Sequence, residues 1–436
     1  MKVGLYTLGC KVSQYETEAI AEEFERRGFS VVPFEEIADA YVVNTCTVTA
    51  ESDRKSRQMV RRAIARNPEA TVAVVGCYSQ RAPEDLSAID GVDIVLGTDA
   101  KMSVVDKVIE SITTGKGNRT VSVSDLTGAS FEPMTVKNAP RTRAYVKIED
   151  GCECKCTYCA IADARGPVRS KRMKNVIEEV EGLYRSGTLE VVLTGIEIGS
   201  WGRDLDEGCD LGDLIAELDR RGSAERIRLG SLAPELVGES FAEKISGTKI
   251  LVPHFHISMQ SGSDNILRRM KRRYTRAKAL ENIERLRRVI QGAEFTTDLM
   301  VGFPGETDED FGYTVDFVRE AKLLSSHVFA YSRRKNTPAY SYPDQVEEAV
   351  KRERSKALIE VQKEITDGIL KERVANGEPL LCILETPSPG GYTAHSDSYI
   401  EVFARGRDNL AGRLVKVRPM SHNDGVIYGD IIEICK

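Results

Sequence analysis

Apolar and polar positions along this chain follow two different periods, and the change between them marks out its parts. Residues 3–8 (VGLYTL), 40–44 (AYVVN) and 71–76 (TVAVVG) are short apolar runs. Runs of this kind predict strands covered on both faces, as in a parallel sheet. Between them, 15–29 (YETEAIAEEFERRGF) sets Ile20 and Phe24 four apart, on one face of a helix. Residues 52–67 (SDRKSRQMVRRAIARN) read as a second helix, capped by Ser52. Strands alternating with helices predict an α/β domain with a doubly wound parallel sheet over residues 1–115.

Residues 112–140 are rich in Gly, Ser, Thr, Asn and Pro, and 116–140 read as a linker. A second α/β series follows over 141–372. Its strands are predicted at 144–148, 189–195, 226–232, 254–259, 295–302 and 327–332. Six such units predict a partial (β/α)6 barrel. Residues 345–371 predict one long charged helix with Val350, Leu358, Val361 and Ile365 on its apolar stripe. From 373 to 436 the period shortens to that of strands between Gly-rich turns, which predicts a small OB-like β-barrel.

The start of the chain lacks the apolar core of a signal peptide, and no run approaches the ~20 apolar residues of a membrane span. A cytoplasmic protein with no membrane partner is expected, so its ten cysteines should be reduced. Disulfides then become a poor use for clustered cysteine, and metal or redox chemistry a better one. The net charge of −6 does not announce a nucleic acid, but 165–174 (RGPVRSKRMK) and 268–278 (RRMKRRYTRAK) are basic. They read either as solvated helix faces or as contacts to a phosphate-rich substrate.

Cys10, Cys46 and Cys77 each follow one of the first three predicted strands. Carboxyl ends of parallel strands form the ligand crevice of an open α/β sheet, so the three are expected to converge there. Cys152, Cys156 and Cys159 form C-x3-C-x2-C just after the strand that opens the second series. Three thiolates can hold three irons of a [4Fe–4S] cube and leave the fourth open. Zinc favours four ligands, usually as two pairs, and no second pair is present. Cys154 reads as a bystander or as a substitute ligand, and His254 and His256 as packing residues rather than ligands.

The C-x3-C-x2-C spacing with Tyr158 before its last cysteine resembles the signature of radical S-adenosylmethionine enzymes. The segments YTLGCKVSQYETE, VVNTCTVTAESDRKSR, VVGCYSQ, VLTGIEIGSWG, QSGSDNILRRMKRRYT, TTDLMVGFPGETDEDF and HVFAYSRRKNTPA extend the likeness. Together they resemble, in order, the radical S-adenosylmethionine methylthiotransferase family. LGCKVSQYE is most similar to the branch acting on tRNA N6-threonylcarbamoyladenosine beside the anticodon. The family's usual Ile-Ile-Pro-Tyr-Ala-Arg-Gly after the last radical-cluster cysteine is AIADARG here.

The resemblance implies two [4Fe–4S] clusters, an auxiliary one on Cys10, Cys46 and Cys77 and a radical one on Cys152, Cys156 and Cys159. It implies S-adenosylmethionine as cofactor, tRNA and a one-electron reductant such as flavodoxin or ferredoxin as partners, no DNA, and a C-terminal RNA-binding TRAM barrel. Cleavage of S-adenosylmethionine would give a 5′-deoxyadenosyl radical that activates C2 of the base, and sulfur would come from the auxiliary site. No catalytic side chain is then expected. Tyr158, Thr194, Gly195, Gln260 and Gly302 would line the S-adenosylmethionine, or else serve turns. Arg272 and Arg273 would meet tRNA phosphates or the threonyl carboxylate, or else lie on a solvated helix face. Competing readings are a methylthiotransferase for isopentenyladenosine tRNA or for a ribosomal-protein aspartate, and a two-cluster electron carrier with an RNA-binding tail.

Overall fold

The structure is a computed structural model describing residues 1–116, 119–138, 142–407 and 409–436. It has three parts. In the first, strands 2–7, 40–45 and 71–76 are central neighbours in a six-stranded, all-parallel sheet. The spatial order is 30–32, 2–7, 40–45, 71–76, 94–96, 120–122. One face packs Val42, Ala73, Val75 and Ile94 on Ile20 and Phe24 of helix Lys11–Arg26 and on Val104 and Val108 of helix Ser103–Thr114. The other packs Tyr41, Val43, Val72 and Val74 on Met59, Val60 and Ala63 of helix Ala50–Arg66. That helix begins earlier than expected. Its cap is Thr49, whose Oγ1 accepts the Ser52 amide at 3.1 Å.

The expected linker is structured where it is described. Residues 120–122 form the sixth strand, and Met134 and Val136 are buried against Tyr15 and Ala19. Residues 117, 118, 139 and 140 of that stretch lie outside the described residues.

All six strands of the second series form, at 143–147, 190–194, 226–232, 254–260, 294–301 and 325–330, each parallel to the next. The third is broken at Gly230: 226–229 pairs back to 190–194, and 231–232 pairs forward to 254–260. This divides the partial barrel into two sheets. The long helix spans Glu348–Asn376 and buries Lys351, Arg354, Leu358, Gln362 and Leu370. Leu358 was expected on its inner face; Val350 and Val361 are only half-buried. The inner face turns toward polar residues because the groups opposite are polar: Arg354 pairs with Glu306, and Gln362 donates to the Leu323 carbonyl.

The C-terminal strands 380–388, 391–396, 401–405, 426–434 and 414–423 close in that order into a barrel. Counted along the chain the order is 1-2-3-5-4, with the third and fifth strands parallel, so the expected small barrel is present. Leu324 and Leu370 of the central part complete its core. No helix among the described residues is long and apolar enough to cross a membrane.

Candidate functional site

The cysteines sit where backbone geometry lets chain ends crowd together. Cys10, Cys77 and Cys152 each follow a glycine with positive φ: Gly9 (+119°), Gly76 (+105°) and Gly151 (+90°). A side chain at Gly76 would meet Asn44 Oδ1 at 2.5 Å and the Thr45 carbonyl at 2.6 Å. At Gly151 it would run into the Pro167 carbonyl at 1.9 Å. Only glycine combines this conformation with such close approach.

In the first part the three cysteines converge as expected, past the ends of adjacent strands. A Cβ on Gly9 would lie 3.4 Å from Cys46 Sγ. The Cys46 thiol is pushed up to about 11, first by burial and further by the neighbouring Cys77 and Cys10 sulfurs. Cys77 is also raised by burial, while Arg165 pulls it the other way. Arg165 Nε donates to Cys77 Sγ at 3.1 Å.

In the second part Cys152, Cys156 and Cys159 lie on the loop after strand 143–147. The Ile161 amide donates to Cys159 Sγ at 3.4 Å, and Arg272 Nη1 donates to Cys156 Sγ at 3.3 Å. Burial pushes the Cys159 thiol up to about 11. Cys154 is not remote from the set: its amide donates to Cys152 Sγ at 3.4 Å. Its own thiol is drawn down to about 6, first by a hydrogen bond from Cys152 and then by Arg272. Among the described residues no three His, Cys, Asp or Glu groups stand close enough to hold a single metal ion. A tetrahedral zinc needs sulfurs only ~3.8 Å apart. His254 and His256 both bond the Thr296 hydroxyl, at 3.0 and 2.9 Å, as packing residues would.

The other expected cofactor residues gather at the carboxyl ends of the barrel strands. Thr194 ends its strand, buried. A Cβ on Gly195 would lie 2.6 Å from Glu149 Oε2, which accepts the Glu197 amide at 2.8 Å and clamps this turn. Gln260 ends its strand with φ +68°, an uncommon value for a residue with a side chain. Gly302 has φ +71°, and a Cβ there would strike Lys351 at 2.3 Å. Tyr158 packs edge-on to Phe303, ring centroids 6.4 Å apart.

Arg272 and Arg273 separate. Arg272 is committed inward, to Cys156 Sγ, the Tyr274 hydroxyl and the Ser258 carbonyl. Arg273 is exposed, with one bond to the Glu153 carbonyl at 3.3 Å. Of the basic stretch 165–174, Arg165, Arg169 and Lys171 are buried.

Sequence reasoning missed two carboxylates at this face. Glu197 is buried, its carboxyl pushed up to about 8 first by burial. Glu235 leaves Oε2 buried without a hydrogen-bond partner. It lies within electrostatic reach of Cys154, Glu197 and Tyr274. The signals were the acidic residue in TGIE and in LAPE, each just past a strand end.

Two family models match this architecture: Uncharacterized protein family UPF0004 over residues 2–97, and Radical SAM superfamily over 146–318. The relative named threonylcarbamoyladenosine tRNA methylthiotransferase MtaB of Bacillus subtilis is 39% identical over 429 residues, covering 95% of this chain and 93% of that one. The chain belongs to the radical SAM methylthiotransferase family, in the MtaB branch. The Thermotoga maritima protein of the same name is 37% identical, over 84% of this chain and 82% of its own. A Carboxydothermus hydrogenoformans protein named tRNA-2-methylthio-N(6)-dimethylallyladenosine synthase is 32% identical, over 97% and 98%. Among solved structures, the radical S-adenosylmethionine methyltransferase TsrM from Kitasatospora setae shares the fold. Its TM-score is 0.59 at 18% identity, over 78% of this chain and 77% of that one. As a member of this family the protein is a radical SAM enzyme, and the family implies S-adenosylmethionine and an iron–sulfur cluster.

Proposed function

We propose that this protein methylthiolates C2 of N6-threonylcarbamoyladenosine beside the anticodon of tRNA, using two [4Fe–4S] clusters. One observation carries the reading. Two sets of three cysteines, each at strand carboxyl ends, are linked by the short helix Ile161–Arg165, whose first amide donates to Cys159 Sγ of one set and whose last side chain donates to Cys77 Sγ of the other. A two-cluster electron carrier would give each iron a cysteine partner; three per set leaves one open position in each.

The residues fit the groups they would hold. Cys152, Cys156 and Cys159 would carry the radical cluster and Cys10, Cys46 and Cys77 the auxiliary one. The unpartnered Glu235 Oε2 at the same face fits a cationic or hydroxyl-bearing ligand. When bound there, the cluster and S-adenosylmethionine supply a one-electron cleavage that yields a carbon-centred radical, with the electron from a flavodoxin- or ferredoxin-like donor. The protein's part is positioning. Thr194 and Gly195 shape a turn with no room for a side chain, Gln260 and Gly302 hold two further strand ends, and Tyr158 walls the loop.

Exposed cations with no carboxylate in ion-pair range among the described residues support an RNA substrate. Lys155, Arg268, Lys271 and Arg273 lie around the radical-cluster loop. Arg333 and Lys335 line a cleft of about 470 Å³ with Arg57 and Arg81, beside both cysteine sets. Arg273→Gln with Lys271→Gln should weaken tRNA binding and lower the slope of log K against log[salt] by roughly 1–2. Filter binding across a salt series measures it, and an unchanged slope argues against contact at this loop.

Mass spectrometry of tRNA nucleosides from cells with and without the protein tests the substrate. Loss of the 2-methylthio form of threonylcarbamoyladenosine is expected; loss of the dimethylallyl form instead would move the protein to that substrate. Iron content tests the clusters. The anaerobically reconstituted protein should hold about eight irons and either triple Cys→Ala variant about four. Cys154→Ala should leave the content unchanged, and a fall by about half would make Cys154 a ligand.

A further inference from the structure

The helix Ile161–Arg165 is one turn long, yet it joins the two cysteine sets. Its first amide donates to Cys159 Sγ, and its last side chain, Arg165, reaches Cys77 in the other domain. The helix is also pinned from across the boundary, where the Thr98 hydroxyl donates to the Ala164 carbonyl at 2.6 Å.

Arg165 is fully buried and uses each of its nitrogens. Nε donates to Cys77 Sγ; Nη1 donates to Glu16 at 2.5 Å and to Asp150 at 3.1 Å; Nη2 donates to Glu16 at 3.2 Å. Around it Lys101 pairs with Glu16, and Lys147 pairs with Glu16 at 3.0 Å and Asp150 at 3.1 Å. Arg169 approaches Asp150 at 3.6 Å, and Glu132 acts on Lys147 and Lys101 from further off. Burial pushes the adjacent Glu149 carboxyl well above its usual range, toward the neutral form. Four cations thus face three carboxylates, leaving one positive charge over in a dry interior, where an unbalanced charge is strongly disfavoured. An oxidised [4Fe–4S] cube on three thiolates carries one net negative charge and would balance it.

We infer that Arg165 is the positioning residue of the auxiliary site, orienting the Cys77 sulfur and raising the reduction potential of the cluster bound there. This rests on the reading that Cys10, Cys46 and Cys77 hold such a cluster. A hydrogen bond to a ligand sulfur favours the more negative, reduced state. Only the planar guanidinium reaches the sulfur and both carboxylates together; a lysine ammonium is a single point.

The test uses the full chain with Cys152, Cys156 and Cys159 replaced by Ala, so that the auxiliary cluster alone remains. Arg165→Lys keeps the charge that Glu16 and Asp150 require and removes the fork. At the parent's midpoint potential, the reduced-to-oxidised ratio, read by electron paramagnetic resonance, should fall about tenfold, or ~59 mV for one electron. An unchanged ratio in a folded variant overturns the inference. A second measurement needs no substitution at Arg165. In the same parent labelled with 15N-arginine, pulsed resonance should show nitrogen coupled to the reduced cluster, and its absence overturns the inference even if Arg165→Lys fails to fold. A parent that binds no iron removes the auxiliary-cluster reading itself, a result separate from an iron-loaded parent without the coupling.

Discussion

With Cys10, Cys46 and Cys77 all replaced by alanine, the protein should still convert S-adenosylmethionine to 5′-deoxyadenosine but should form no methylthio product. The two activities separate because the sets belong to different parts of the fold. On the proposed reading radical formation would draw on the loop after strand 143–147, where Arg272 and the Ile161 amide donate to Cys156 and Cys159. Sulfur transfer would draw on the cysteines past the ends of strands 2–7, 40–45 and 71–76. The variant should remain folded. Cys10 is exposed, and Cys46 and Cys77 are buried beyond the strand ends rather than within the sheet, so each truncation removes one heavy atom at on the order of 1 kcal/mol. The assay is anaerobic, with tRNA bearing threonylcarbamoyladenosine, and both products are read by mass spectrometry. Normal methylthiolation by the folded variant would return these cysteines to a packing role.

Glu190→Ala should destabilise the protein by about 3–5 kcal/mol, the range for removing one partner from a buried ion network. Glu190 is fully buried at the foot of its strand, where Arg143 reaches it at 2.6 Å, Arg228 at 2.8 Å and Arg226 at 3.1 Å. Arg228 also donates to the Ser396 and Asp397 carbonyls, and Arg143 pairs with Glu385 at 2.7 Å. The network therefore fastens the C-terminal barrel to the central one, and the first unfolding transition should move. Burial opposes ionisation of Glu190, but Arg228, Arg226 and Arg143 outweigh it and hold the carboxyl well below its usual range. A depressed folded pKa gives stability that is full above the unfolded value near ~4.3 and is lost as pH falls through the folded one. Wild type should lose this contribution on acidification below about pH 4, whereas Glu190→Gln should lack that part of the acid dependence. Denaturant midpoints at pH 7 and pH 3 measure both; a midpoint unmoved by Glu190→Ala would show that the arginines find other partners.

The carboxyl-end position of both cysteine sets was legible because it follows from short-range pattern. Apolar runs name the strands, and Cys46 and Cys77 stand directly after Thr45 and Gly76. The C-x3-C-x2-C spacing lies within one loop and needs no partner to be seen. The same holds for the five short C-terminal strands, whose turns are local. Polar composition suggested a linker over 116–140, where 123–138 hold neither helix nor strand but 120–122 form a strand. Residues 120–122 pair at the sheet edge because the backbone of strand 94–96 is open there, which no side chain in 120–122 announces.

What only the tertiary structure decided is the fate of charge. Arg165, Arg169 and Lys171 belong to a stretch that reads as a basic face, yet they are buried. Arg165 pairs with Glu16, 149 residues away in the first part of the chain, and Lys171, although its carboxylate Glu179 stands only eight residues on, also donates to the Met134 carbonyl 37 residues away. In the same way Arg272 turns inward to Cys156 while the adjacent Arg273 stays at the surface. By itself the sequence determined the strands, the helices and where the cysteines fall on them, because backbone pairing and side-chain period act over a few residues. Which cations are solvated and which are locked against sulfur and carboxylate depends on what the fold brings opposite them. A buried charge is tolerated only where the fold supplies its counterpart, and for Arg165 that counterpart, Glu16, lies beyond the reach of any local pattern.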